Sequence, residues 1–546
     1  MRVIKKIFAV LLSMVLILSF CIQADAAKKE PIKPIGESAP VEDVLPKIKR
    51  IELQIDSDTM SVDGNKKNVI SPYEIDGVAM IPLRALSESL GADVEWDGET
   101  RSIIITMDFA KIELQIDSTD AYVDGEQKEL LRAPELTKDT TMIPLRFVSE
   151  SFGADVMYYP EDRSISVVLR KAGAAYKIDF GKLEECKKLI LTKTLKNGNR
   201  FGAMFPEGTN AGQYRLMRAP GWVGGFYTGL NYICYEWSGN DKYVKNAKMV
   251  FDIMAWLLEN EPEYYHHDLG FTFMLSYYQD YLNTNNEKSK QVVINAADVL
   301  LGRVKEPYGY IQAWEIWGEN TFALNNEYRM IVDTMCNISL LYTATELTGD
   351  DKYKNAASAH AQMTQQYLVR DDFTTTHTFV FDEDGNPRFQ QQYQGAADRS
   401  CWARGQSWVI NGMAQAYKFT GDESFLQTAK DCADTYFKMT DKDLISRWDL
   451  VYTDDIEQPK DTSAAAITAC GLMDIWEATG DDFYKDTAYK IWSVLYDYYS
   501  TKDDTKDEGL IREAVGHKPG KSNITVSLIY GDYYFAQLTQ RFLALK

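Results

Sequence analysis

The chain has 546 residues, 45% hydrophobic and 25% charged, which is enough to bury two or three cores without metals or disulfides. Its formal net charge is −21, from 80 acidic and 59 basic side chains. That balance excludes nucleic acid as a partner, because phosphate affinity comes from Lys and Arg. It also demands local cations wherever an acidic ligand is held.

Residues 1–26 read as a signal peptide. Arg2, Lys5 and Lys6 precede an apolar run from Ile7 to Phe20, and Ala24-Asp25-Ala26 offers small residues for cleavage. The run is too short to span a bilayer, and bulky Phe20 before Cys21 does not suit a lipid anchor. The expectation is a secreted protein, associated with the cell surface, with no membrane span. Residues 27–49 carry Pro31, Pro34, Pro40 and Pro46 among charges and read as a linker. Past the signal, Cys186, Cys234, Cys336, Cys401, Cys432 and Cys470 form no C-x-x-C pair. They read as buried free thiols rather than as a zinc site.

Residues 50–170 contain an internal repeat. IELQIDS recurs at 51 and 112, and MIPLRALSESLGADV (80–94) returns as MIPLRFVSESFGADV (142–156). The offset grows from 61 (Ile51 to Ile112) to 62 (Arg101 to Arg163), so one residue was inserted between them. Each copy predicts strand, turn, strand, helix, strand, turn, strand. IELQI alternates apolar and polar residues, and Asp-Gly supplies a hairpin turn. Pro82 and Pro144 stand near the first helical turn, and Gly91 and Gly153 where each helix stops. Two such units are expected to pack together as a small, self-contained α+β domain that does no chemistry. The MIPLR…GA-V motif resembles the copper amine oxidase N-terminal domain, but the segment contains no His and offers no copper site.

From Phe180 onward the pattern is helical. Ser238–Tyr243, Thr348–Tyr353, Thr420–Phe425 and Thr479–Tyr484 follow one plan, with a Gly to end one helix and an Asn or Asp to cap the next. Asn285-Asn286-Glu287 reads as a degenerate fifth copy. Repeated helical hairpins predict an α/α toroid with its site in the loops at one end.

Several residues there could carry chemistry. His266-His267-Asp268 resembles a metal cluster, but adjacent residues do not easily converge on one ion; the alternative is that Asp268 caps the helix FTFMLSYYQDY. Asp333 is placed inside a helix beside Ile331, Val332 and Met335. Desolvation there is expected to raise its pKa, as suits a general acid, with Asn337 orienting it. The alternative is a buried Asp tied to neighbouring backbone. In CWARGQSW, Arg404 and Trp408 share a helical face. Arg404 could grip a carboxylate with two parallel hydrogen bonds, and Trp408 could wall a sugar ring. The alternative is an Arg stacked on a core Trp.

HHDLGF, RMIVDTMCN, CWARGQSW, DTSAAAI (461–467) and GDYYF (531–535), in this order, resemble glycoside hydrolase family 88, the unsaturated glucuronyl hydrolases. The resemblance covers about 180–546. It implies an all-α (α/α)6 barrel catalytic domain, which makes the chain a multidomain protein with the α+β domain first. The implied activity is removal of a 4,5-unsaturated uronic acid from lyase-made oligosaccharides. A carboxylic acid protonates C4 of the double bond and water adds at C5. No cofactor and no metal are implied. Asp333 matches the general acid and base, and Asp268 the second carboxylate. His267, His377, Gln394 and Arg404 match residues that bind the sugar or its acid group, and Trp222, Trp314 and Trp408 match aromatic walls. His517 falls in a loop facing the leaving sugar, where Lys518 and Lys521 could meet a sulfate or simply be solvated.

Two alternatives stand beside this reading. One is an unsaturated rhamnogalacturonyl hydrolase acting on pectin fragments, against which the Arg404–Trp408 motif weighs. The other is an inactive glycan-binding surface protein, against which the presence of both Asp268 and Asp333 weighs. The repeats are further expected to hold cell wall or surface glycan.

Overall fold

The computed structural model describes residues 46–108, 110–171, 177–451 and 458–546. The signal peptide and most of the linker lie outside the described residues. No helix among those described is long and apolar enough to cross a membrane.

The two repeats interlock rather than stand side by side. The opening strand of the first copy, Lys47–Gln54, pairs antiparallel with the closing strand of the second, Ser164–Lys171, so Ile51 faces Val167. The reciprocal pairing sets Ser102–Met107 against Ala110–Gln115, with Ile105 facing Ile112. Each five-stranded sheet therefore draws on both copies. A third sheet joins them through Val78–Pro82 and Thr140–Pro144, where Ile81 meets Ile143. The alternation read from the sequence is the cause: Ile51, Leu53, Ile103, Ile105, Ile112 and Leu114 turn inward and share one core. Each short helix begins directly after Pro82 or Pro144, and Gly91 closes the first in the left-handed conformation.

The rest of the described chain is predominantly helical and has its own core. The recurrent hairpin turn behaves as its sequence requires. Gly239, Gly349, Gly421 and Gly480 all have φ between 64° and 75°. The next residue (Asn240, Asp350, Asp422 or Asp481) accepts a hydrogen bond from the amide two positions on. The degenerate copy does the same with Asn285 at φ 53° and Asn286 as the cap. All six cysteines past the signal are free and buried.

The β-rich domain is tied to the helical one by buried charges. Arg170 donates to both oxygens of Asp434, each at 2.8 Å, and also pairs with Asp155. Arg50 pairs with Asp431 and Asp434 and lies over the Phe373 ring. Lys430 closes the network on Asp155. The self-contained domain read from the repeat thus has its own core but is not free of its neighbour.

Candidate active site

A cavity of about 560 Å³ opens among the loops of the helical domain, lined in part by Trp222, Asp268, Trp314, Gln394 and His517. Five residues singled out from sequence therefore meet there. Asp268 precedes the short helix Leu269–Phe273, and its side chain makes no capping bond, so the capping alternative fails. The turn before it is strained: His266 has φ 51°.

Asp333 does not lie inside a helix. It follows the strand Arg329–Ile331, which pairs with Thr378–Phe381, and precedes the helix Thr334–Asn337. Hydrogen bonding of 329–331 to the neighbouring strand overrides the helical pattern of this stretch. The same pairing brings His377 beside Asp333, with Nε2 3.6 Å from Oδ2. Asn337 orients no carboxylate of Asp333. It donates to the Asp333 backbone carbonyl and accepts from the Phe271 amide, joining the two acid-bearing segments.

The histidines fix where the protons sit. His267 Nδ1 lies 2.8 Å from the Ala313 carbonyl, so Nδ1 carries the proton in the neutral ring. Its Nε2 is then an acceptor, 3.2 Å from Asp268 Oδ1, an arrangement that suits a protonated Asp268. Burial and the nearby Asp333 charge push Asp268 well above the ordinary carboxylate range. Burial pushes His267 down to about 3. His377 has the opposite tautomer. Its Nδ1 accepts from the amides of Tyr393 and Gln394, which leaves Nε2–H directed at Asp333. Burial also lowers His377. Burial by itself would raise Asp333, but His377, His267 and Arg404 outweigh it and hold that carboxyl low. The expected raised pKa therefore belongs to Asp268 and not to Asp333: at Asp268 burial and the Asp333 charge outweigh Arg303 and Asn337, whereas at Asp333 the histidines and Arg404 outweigh burial.

Arg404 is not a free fork. Its Nη1 donates to Asp461 at 3.1 Å and to the Val515 carbonyl, and its Nη2 to Gln394 at 2.7 Å and the Gly516 carbonyl at 2.8 Å. All four Nη hydrogens are used, so a carboxylate cannot be gripped by both nitrogens. Arg404 stands one layer behind the cavity, stacked 4.3 Å from the centroid of Trp402, and holds two wall elements, Gln394 and the 515–516 backbone. Trp408 is fully buried against Phe271 and Tyr534 and is a core residue rather than a wall. Here the Arg–Trp spacing gave the shared face correctly, but that face points into the core.

Sequence reasoning missed Tyr264, Tyr265, Trp317, Tyr393 and Tyr530, which also belong to the aromatic lining. Tyr530 immediately precedes the GDYYF motif, which was its one available signal. Tyr393 and Trp317 stand in loops without periodicity. His517 lines the cavity as expected, and its Nδ1 accepts from the Gly520 amide.

Residues 61–167 match the Copper amine oxidase N-terminal domain, and residues 202–541 match Glycosyl Hydrolase Family 88. The unsaturated glucuronyl hydrolase of Bacillus sp. strain GL1 is 34% identical over 357 residues, which are 64% of this chain and 93% of the relative. Its crystal structure superposes with a TM-score of 0.62 at 33% identity, covering 66% of this chain and 96% of that one. A variant of the unsaturated glucuronyl hydrolase of Streptococcus agalactiae, complexed with dGlcA-GalNAc6S, superposes at 0.58 and 28% identity, covering 68% and 93%. A related complex with dGlcA-Glc-Rha-Glc superposes at 0.62 and 32% identity, covering 66% and 96%. This chain belongs to Glycosyl Hydrolase Family 88 and is a glycoside hydrolase carrying an N-terminal copper amine oxidase N-terminal domain.

Proposed function

We propose that the protein releases a 4,5-unsaturated uronic acid from the non-reducing end of lyase-made oligosaccharides by hydrating the C4=C5 bond. The observation that carries this reading is a pair of interacting buried carboxyls, Asp268 in the cavity wall against His267 Nε2 and Asp333, outside the lining and 3.6 Å from His377 Nε2. The directions of their pKa shifts put the proton on Asp268. Such a pair shares one proton and titrates as a unit. On this reading an anionic uronate entering the cavity raises the pair's proton affinity. The shared proton moves from Asp268 to Asp333, which passes it to C4 and takes one back from the water that adds at C5. The resulting hemiketal opens and frees the neighbouring sugar. His267, His377 and Gln394 hold the acids and the ring, and Trp222 and Trp314 flank it.

The helical domain is read as a closed (α/α)6 barrel. Phe226–Ser238, Tyr277–Thr284, Ser339–Thr348, Ala403–Thr420, Thr462–Thr479 and Ile529–Leu543 form the inner set. In support, Ile529–Leu543 packs back on Phe226–Ser238. Secretion, attachment at the cell surface and glycan binding by the repeats rest on the sequence reading. So do the domain limits of 50–170 and 180–546. Loss of the ultraviolet absorbance of the double bond, followed over a panel of lyase-made disaccharides, tests the activity. No loss with any of them would refute it.

A further inference from the structure

Among the described residues, the cavity lining offers an anionic ligand no Lys or Arg side chain. It includes two carboxyl side chains, Glu207 and Asp268, and two imidazoles, His266 and His517. Burial pushes both imidazoles down to about 4, so near neutral pH they are uncharged. The lysines that the sequence offered to a sulfate are elsewhere. Lys518 donates to Gln458 and lies 4.5 Å from the centroid of Trp448. Lys521 is exposed and outside the lining.

Glu207 lines the same cavity as Asp268 and His517. It sits in the strand Phe205–Asn210, whose Gly208 bridges to Leu528 and whose Thr209 amide donates to the Ser527 carbonyl at 2.9 Å. A Cβ at Gly208 would stand 2.8 Å from Asn523, so this strand and the 514–526 hairpin bearing His517 form one close-packed wall. The Glu207 side chain is 21% exposed and pairs with Arg215, which is 58% exposed and not part of the lining.

One solved relative holds a sulfated disaccharide and another a longer unsulfated chain, so the family accommodates both. Resting on the activity proposed above, we infer that this enzyme takes oligosaccharides whose leaving sugar is uncharged, and that Glu207 is the residue that rejects sulfated ones. The reason is electrostatic. The uronate already brings one anion into a cavity without a lining cation, and a sulfate ester would bring a second toward a fixed carboxylate. Like charges juxtaposed in this way act chiefly on specificity.

The test is kcat/KM on an unsaturated chondroitin disaccharide and its 4- and 6-sulfated forms, using full-length wild type, Glu207→Gln and Arg215→Ala. Wild type should favour the unsulfated form by about tenfold or more, and Glu207→Gln should shrink that ratio by about tenfold. Arg215→Ala should leave the sulfated forms no better bound. Equal or better turnover of sulfated forms by wild type would overturn the inference. So would an unchanged ratio in Glu207→Gln, or a selective loss of sulfated turnover when Arg215→Ala is added to Glu207→Gln, which would make Arg215 a sulfate ligand. If no disaccharide is turned over at all, the parent activity fails and takes this inference with it. Turnover without the ratio sinks only this one.

Discussion

His267 Nε2 lies 3.2 Å from Asp268 Oδ1, while the opposite nitrogen of the same ring is committed to the Ala313 carbonyl. A neutral imidazole held this way cannot donate to Asp268; its Nε2 can only accept, which favours the form of Asp268 that keeps its proton. The pH consequence follows from the signs. Asp333 is lowered, so the pair gains its second proton only below the ordinary Asp value of about 3.9. Asp268 is raised well above it, so the last proton leaves at a higher pH. The kcat/KM profile should be a bell whose two limbs belong to the carboxyl pair, so His377→Gln should abolish no limb near the ordinary His value of about 6.5. A limb at that value which disappears in His377→Gln would count against the neutral imidazoles.

Asp333→Asn keeps the shape and removes the carboxylate that relays the pair's proton. Turnover should fall by about three orders of magnitude or more while disaccharide binding survives. In heavy water the wild-type product should carry deuterium at C4. Mass spectrometry or NMR showing none there would contradict protonation at that carbon.

Removing Arg404 should act through the wall rather than through the ligand's acid group. Arg404→Ala leaves Asp461 buried without its cation and releases Gln394 and the 515–516 backbone. Breaking one side of a buried pair costs about 3–5 kcal/mol. Unfolding in denaturant should show that loss, together with lower kcat/KM. Arg404→Lys should not restore either, since a point charge cannot serve four acceptors. Full recovery by Lys would mean that the fourfold clamp is unimportant.

The two tryptophans should separate cleanly. Trp314→Ala, at the cavity, should raise KM by about tenfold with a small change in stability. Trp408→Ala, in the core, should destabilise by about 3–5 kcal/mol. A Trp408→Ala enzyme of normal stability and raised KM would return that residue to the site.

Arg170 should matter to the whole chain. Arg170→Ala strands the buried Asp434 and takes a partner from Asp155. A loss of about 3–5 kcal/mol in unfolding is expected. Unchanged stability would show that the β-rich domain does not lean on the helical one.

Local periodicity made much of the fold legible. The alternation in IELQI and the Asp-Gly turns specify strands. The Gly-Asp hairpin turns specify helix ends, because φ above zero and an N-cap acceptor are demands that a few residue types satisfy. The motifs HHDLGF and RMIVDTMCN likewise placed Asp268 and Asp333 at one site. What remained undecided was anything set by partners distant in sequence. The interlocking of the repeats depends on Ile51 meeting Val167 across most of the domain. Asp333 lies after a strand, not in a helix, because residues 378–381 pair with 329–331. The division of charge between the two acids was likewise beyond the sequence. Both are buried carboxyls in apolar runs; burial and the Asp333 charge raise Asp268, while His377, His267 and Arg404, brought in from distant segments, hold Asp333 low. The fate of Arg404 was decided in the same way: spacing put it on a face with Trp408, but acceptors at 394, 461, 515 and 516 had claimed its Nη hydrogens. A sequence records which donors and acceptors exist, and tertiary packing decides which of them are already satisfied.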